Sequence, residues 1–186
     1  MRKTLTAAIV AASLLTLAAC GNEDGSDSAA GHNDADVAFA QQMIPHHQQA
    51  VEMAQLAETR AESPEVKDLA ADIEAAQDPE IETMTGWLDS WGEEVPGDGG
   101  HGGHDMSSDD MAGMMSEEEM ADLEGSSRSG FDQMFLTMMI EHHEGAIEMA
   151  QTEQTEGEFP DALALAGEIE SAQTEEIQTM QELLKP

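Results

Sequence analysis

The chain has 186 residues, and its 40 Asp and Glu residues against six Lys and Arg give it a formal net charge of −34. A surface this acidic repels phosphate backbones and anionic headgroups, which argues against nucleic-acid binding and electrostatic docking on a membrane, and it attracts cations. Cys20 is the single cysteine, so the chain has no disulfide framework and no thiolate ligand inside a folded domain.

The N-terminus has the layout of an export signal. Arg2 and Lys3 precede an apolar run that ends at Leu17, which is too short to span a membrane. Leu17-Ala18-Ala19-Cys20, followed by Gly21, is similar to a bacterial lipobox. We therefore predict a signal peptide over 1–19 and a flexible tether over 20–33 that starts at a lipidated Cys20, with the protein anchored to the outer face of a bacterial membrane. An ordinary signal peptide with a chance cysteine is the alternative.

Helical patterns fill the rest of the chain. Apolar residues recur every three or four positions from about 36 to 59, and Ser63 with Pro64 is typical of the start of a second helix, which continues to about 91. Ser116 and Glu119 fit a capping box for a short helix. Two more long helices are predicted from about 129 to 154 and from 160 to 184. Strand signals are nearly absent, so we predict an all-α protein.

The chain contains an internal duplication. Residues 43–88 and 139–184 align without a gap and are identical at 23 of 46 positions, a constant offset of 96 residues. This predicts one domain over 34–185, made of repeat 1 (about 36–91), a His- and Met-rich linker (about 92–128) and repeat 2 (about 129–185). Each repeat forms a helical hairpin with an apolar face that it cannot bury alone. We expect the two hairpins to pack as a ferritin-like four-helix bundle.

Adjacent histidines flanked by methionines recur in both repeats. The predicted metal ligands are Met43, His46, His47, Met53, Met139, His142, His143 and Met149. Imidazole and thioether ligands without cysteine favour monovalent copper, with silver as the alternative. In dinuclear iron and manganese bundles a Glu stands three residues before the ligand His, whereas here that residue is Met43 or Met139. Iron and manganese are therefore less favoured. Whether the two repeats form one site or two stays open.

Two further sets of residues are candidates for supporting roles. The linker holds accessory metal ligands that would capture copper weakly, and a plain flexible linker is the alternative. These accessory residues are His101, His104, Met106, Met111, Met114 and Met115. Gln77 and Gln173, or Glu74 and Glu170 nearby, are predicted to orient the imidazoles by hydrogen bonds, and a solvent-facing edge position is the alternative for the two glutamines.

The paired HH motifs, the EMA that follows each of them, the helical duplication and the export signal together resemble the family known as domain of unknown function 305. The match covers roughly residues 34–185. The resemblance implies a ferritin-like four-helix fold and binding of copper or silver by Met and His, because the family includes a cyanobacterial copper-resistance protein.

The sequence favours a metal-binding lipoprotein that sequesters or handles monovalent copper or silver or confers resistance to it, and it contains no obvious catalytic nucleophile with a base. One rival is a dinuclear oxidase or peroxidase, which would use carboxylates beside the histidines, and these would be Glu52, Glu141, Glu144 and Glu148. The other rival is a metal-free acidic module that binds a partner protein. No particular protein partner is indicated, and oligomerisation stays open.

Overall fold

The computed structural model describes residues 31–97 and 111–185, and within these ranges the chain is helical. The helices are α1 (Asp34–Arg60), α2 (Pro64–Trp91), α3 (Glu117–Gly125), α4 (Ser129–Glu156) and α5 (Pro160–Leu183). Their ends lie close to the predicted positions, and the all-α prediction is confirmed. The predicted signal peptide, Cys20 and most of the tether lie outside the described residues, so these domain assignments stay predictions. No helix in the described ranges is long and apolar enough to cross a bilayer.

The helix ends follow from local sequence signals. The Ser63 hydroxyl accepts a hydrogen bond from the Val66 N–H, and Pro64 occupies the first helical position of α2, where its missing N–H costs nothing. Gly92 ends the same helix with φ of 76°, a conformation that glycine adopts without strain. The predicted capping box of α3 is present between Ser116 and Glu119.

The two hairpins meet through their first helices. α1 packs on α2, α4 packs on α5, and the contact between hairpins is made mainly by α1 and α4. The second half of α1 shares an apolar cluster with the first half of α4, for example Ala54 with Phe135. The first half of α1 shares another with the second half of α4, for example Ile44 with Ala146. α1 and α4 therefore run antiparallel, and the middle of each helix lies against the middle of the other.

Two aspartates at equivalent positions tie the hairpins together. Asp132 at the start of α4 accepts hydrogen bonds of 3.0 Å from the backbone N–H groups of Glu62 and Ser63 in the α1–α2 turn. Asp36 at the start of α1 accepts bonds of 3.1 and 2.9 Å from the N–H groups of Glu158 and Phe159 in the α4–α5 turn. Each hairpin thus supplies the carboxylate that satisfies the exposed N–H groups of the other hairpin's turn.

Candidate metal centre

The inner histidine of each repeat lies at the crossing of α1 and α4. Residues spaced three and four apart share one face of a helix, and on α1 that face carries Met43, His46 and Met53, all fully buried. The same face of α4 carries His142, also fully buried. Antiparallel packing brings the two imidazoles together, with ring centroids 3.7 Å apart and planes inclined by 39°.

The predicted thioether ligands lie on two sides of this histidine pair. Met53 and Met139 belong to the apolar cluster on one side, together with Met180. Met43 belongs to the cluster on the other side, where the partly exposed Met149 packs against it. Each of these clusters contains residues of both repeats. Six of the eight predicted ligands thus lie as a central pair of imidazoles with two methionines on each side.

The outer histidines face the second helix of their own hairpin. Consecutive helical residues point about 100° apart, so His47 and His143 turn away from the α1–α4 seam. His47 Nε2 lies 2.7 Å from Glu80 Oε2, and His143 Nε2 lies 2.6 Å from Glu176 Oε2. A carboxylate oxygen only accepts, so each ring carries its proton on Nε2. In the neutral form of the ring Nδ1 then has the lone pair, and both Nδ1 atoms are buried without a partner among the described residues.

The prediction about which residues orient the imidazoles named the wrong side chains. Glu74 accepts from Gln55 at 2.9 Å, and Glu170 accepts from Gln151 at 2.8 Å. Gln77 is buried as a core residue, but it makes no hydrogen bond to a histidine. Its counterpart Gln173 is also buried and makes none. The orienting groups are the carboxylates of Glu80 and Glu176.

The end of the linker packs onto the bundle, which the sequence did not lead us to expect. Met115 is 3 % exposed and lies in the core cluster beside Met139. The Ala112 carbonyl oxygen lies 3.2 Å from His46 Nε2. Met111 and Met114 are partly exposed. The accessory candidates His101, His104 and Met106 lie outside the described residues.

Burial keeps the inner histidines neutral. Removal from water, together with the smaller effect of the adjoining His47, lowers the pKa of His46 to about 3. Burial and the neighbouring His46 hold the pKa of His142 well below its usual value. Both rings are therefore uncharged at neutral pH, which is the form that binds a metal.

The centre of the bundle contains an unusual number of unpartnered polar atoms. Among the described residues, Nδ1 of His46 and both ring nitrogens of His142 have no hydrogen-bond partner, although they are buried. Both polar atoms of the Gln77 amide are also buried without a hydrogen-bond partner. Buried polar groups are normally paired, and each exception calls for an explanation. A cation that accepts imidazole lone pairs would satisfy several of these atoms at once.

The carboxylates of the proposed dinuclear enzyme are not brought to the histidines. Glu52 and Glu148 are exposed, as are Glu141 and Glu144, whereas all four histidines of the repeated motif are fully buried. No group of three or more His, Cys, Asp or Glu side chains suited to hold a metal occurs within 31–97 and 111–185. The donors that the fold gathers at its centre are imidazole and thioether.

Comparison with known proteins identifies similar chains. The model of the family DUF305, a domain of unknown function, matches residues 36–184. A presumed secreted DUF305 protein from Streptomyces coelicolor has 32 % identity and a TM-score of 0.73, with 81 % of this chain and 91 % of that one covered. A DUF305 fragment from Deinococcus radiodurans has 32 % identity and a TM-score of 0.72, with coverage of 82 % and 96 %.

A third similar structure contains bound metal. CopM in its Cu(II)-bound form has 35 % identity and a TM-score of 0.66, with 80 % of this chain and 94 % of that chain covered. CopM structures with Cu(I) and with silver bound are also similar to this chain. A search of curated proteins found no match.

Proposed function

This chain belongs to the DUF305 family, and on that premise we propose that it binds monovalent copper or silver at the centre of its bundle. The observation that carries the proposal is the buried pair of His46 and His142, whose unpartnered ring nitrogens lie between two methionine sets. The similarity to CopM structures that contain Cu(I), Cu(II) and silver supports the same metals.

Each element of the site has a distinct role in this proposal. His46 and His142 are the central ligands. His47 and His143 add imidazoles whose protons are held on Nε2 by Glu80 and Glu176, an arrangement that fixes the ring orientation and raises the basicity of the free nitrogen. The methionines complete the coordination, and these are Met43, Met53, Met139 and Met149.

Monovalent ions suit this site because its donors are uncharged. Neutral imidazoles and thioethers cannot offset a large positive charge, and the cost of removing an ion from water rises steeply with its charge. Thioether sulfur also selects soft ions such as Cu(I) and Ag(I) over hard divalent ions. The surrounding acidic surface, with 40 Asp and Glu in the chain, raises the local concentration of cations.

Export is part of the proposal. The Leu17-Ala18-Ala19-Cys20 sequence supports lipidation at Cys20 and anchoring at the outer face of a bacterial membrane. The presumed secretion of the Streptomyces coelicolor relative points the same way. Outside the cytoplasm cysteine is readily oxidised, so histidine and methionine are suitable ligands for copper sequestration or handling.

An anaerobic titration with Cu(I) against a competing chelator tests the proposal. The protein is the mature chain from residue 20 with Cys20→Ser, which removes the thiol. Wild type is compared with the double variant His46→Leu and His142→Leu, in which the ring nitrogens are lost but the core stays filled. Tight binding that the double variant loses is the expected result. Equal binding by both proteins, or binding by neither, would refute the assignment.

Methionine substitutions separate the thioether contribution. Met→Leu conserves volume and usually costs less than about 1.5 kcal/mol of stability, so it tests the sulfur rather than the packing. Met43→Leu and Met139→Leu are expected to weaken Cu(I) binding. The matched control is Met120→Leu on α3, where the side chain is only partly buried, and it is expected to leave binding unchanged.

A further inference from the structure

Residues 111–116 cross the bundle directly over the inner histidines, and we refer to them as the strap. The Ala112 carbonyl oxygen accepts a hydrogen bond of 3.2 Å from His46 Nε2. A carbonyl oxygen cannot donate, so the strap holds the His46 proton on Nε2 and covers that side of the ring. His46 is fully buried.

The strap makes backbone contact with α4 at a pair of glycines. A Cβ atom added to Gly145 would lie 2.0 Å from the Ala112 oxygen and 2.9 Å from the Gly113 Cα. A Cβ atom added to Gly113 would lie 2.6 Å from the Glu141 carbonyl oxygen, and Gly113 also has φ of 76°. Only glycine at both positions lets the two backbones approach this closely.

A glutamine on α1 fastens the strap from the other side. Gln49 Nε2 donates to the Met115 carbonyl oxygen at 2.8 Å, and the Met115 N–H donates to Gln49 Oε1 at 2.7 Å. The buried Met115 side chain then fixes this end of the strap in the core.

The two contact residues occupy equivalent positions in the duplicated sequence. Gln49 and Gly145 are 96 residues apart, each three residues after the inner histidine of its repeat. One repeat uses this position to bind the strap by hydrogen bonds, and the other uses it to make room for the strap. A single strap cannot obey the two-fold relation of the hairpins, so the two positions have to differ.

We propose that the strap is a gate for the metal, held closed by Gln49 and Gly145, and this rests on the proposed function. An ion that binds His46 takes the free Nδ1, and the Nε2–H bond to Ala112 can stay in place. The strap therefore opens to let an ion reach the fully buried ring, and it can close again over the bound ion. Opening breaks a few hydrogen bonds and one backbone contact, which is a local event that leaves the helices intact.

The strap also provides the first ligands that an arriving ion meets. Met111 and Met114 are partly exposed, whereas the inner histidines are fully buried. An ion held by a strap thioether moves with the strap as it opens. The class of ligand is the same soft monovalent cation that the interior is proposed to bind.

Transfer kinetics test the gate. Cu(I) is supplied anaerobically as its bicinchoninate complex to the mature Cys20→Ser protein, and loss of the complex is followed by stopped-flow absorbance. Gly145→Ala and Gln49→Ala are expected to accelerate transfer about tenfold, because each removes contacts that hold the strap closed. The matched control is Gly167→Ala on α5, where an added Cβ meets no atom within 4 Å, and its rate should equal that of the wild type.

A measurement without metal separates the possible failures. Hydrogen exchange at the Met115 amide should be faster in Gly145→Ala and Gln49→Ala than in the control. Suppose that the protein binds Cu(I) through His46 and His142, and that the two variants show faster hydrogen exchange but unchanged rates of Cu(I) transfer. That result would overturn the gate and leave the proposed function standing. Loss of histidine-dependent binding in the wild type would overturn the proposed function and the gate together. If Gly145→Ala fails to fold, Gln49→Glu keeps the acceptor for the Met115 N–H, loses the donor, and gives the same comparison.

Discussion

Glu153 on α4 is a buried acid whose ionisation should set the pH dependence of stability. Its side chain is 1 % exposed and faces Asp36 at the start of α1. Burial, together with the smaller effect of the neighbouring Asp36, raises the pKa of Glu153 from its ordinary 4.5 to about 8. Burial also opposes ionisation of Asp36, but Glu153 and the N–H groups of Asn33, Phe159 and Glu158 hold its pKa below the usual range. Asp36 therefore carries the charge at neutral pH, and Glu153 carries the proton.

The sign of the effect follows from proton linkage. Between pH 4.5 and pH 8 the folded protein keeps the Glu153 proton and the unfolded chain releases it, so the free energy of unfolding falls as pH rises through this window. At 1.36 kcal/mol for each pH unit, this shift can lower the free energy of unfolding by at most about 5 kcal/mol. Glu153 also lines an open cleft of about 260 Å³ with Gln42 and Thr152. The cleft leaves room for the ionised carboxylate to turn toward water, so we expect about half of this maximum, or about 2–3 kcal/mol.

The substitution Glu153→Gln isolates this contribution because glutamine has nearly the same shape and does not ionise. The variant should match wild type at pH 5 and exceed it at pH 9 by about 2–3 kcal/mol, which corresponds to about 4–12 °C in Tm for a domain of this size. Thermal unfolding followed by circular dichroism at pH 5, 7 and 9 measures both proteins. Glu156→Gln, at an exposed position on the same helix, is the control for loss of one negative charge. A difference between Glu153→Gln and wild type that is the same at all three pH values would refute the reasoning.

Other predictions follow from the orienting carboxylates, the hairpin caps and the core. Replacing Glu80 and Glu176 by Gln should weaken Cu(I) binding by about 10–100-fold with the helices intact, measured by chelator competition and circular dichroism. Asp132→Ala should lower the free energy of unfolding by about 2–3 kcal/mol in urea titration, because it leaves two turn N–H groups without their acceptor, and unchanged stability would contradict the assigned cap. Phe135→Ala, at a fully buried ring, should cost about 3–5 kcal/mol in the same assay.

The helices were predictable from the sequence because their signals are local. Ser63 with Pro64, and Ser116 with Glu119, act on backbone groups within one turn, so the pattern alone identifies the start of a helix. The burial of the histidines was predictable for a similar reason, since their spacing matches the apolar stripe. That they meet as a pair across α1 and α4 depends on how the hairpins pack, which the duplication only suggested.

The partners of the outer histidines were missed because they depend on the register between two helices. Glu80 and Glu176 recur with the same 96-residue offset as the histidines, and that recurrence was the available signal. Glu74 and Glu170 recur in the same way, so the offset could not distinguish them. The structure selects Glu80 because the hairpin places it opposite His47.

Features that differ between the repeats were missed because they do not recur at the 96-residue offset. Glu153 stands where repeat 1 has Ala57, and Gly145 stands where it has Gln49. A comparison that looks for residues shared by the two repeats takes such differing pairs to be neutral changes without a structural role. In the structure Glu153 pairs with Asp36, and Gly145 contacts the strap backbone. The two repeats therefore make different contacts at these positions.

The exchanged aspartates Asp36 and Asp132 bear on the origin of the chain. The backbone N–H groups of each turn find their carboxylate acceptor only on the other hairpin. A single repeat made alone should therefore assemble into a two-fold dimer with the same contacts. Joining two copies by a linker replaces that association with an intramolecular one at high effective concentration. Fusion also freed the halves to diverge. In a dimer of identical chains the positions of Ala57 and Glu153 would hold the same residue, and so would those of Gln49 and Gly145, which contact the strap differently.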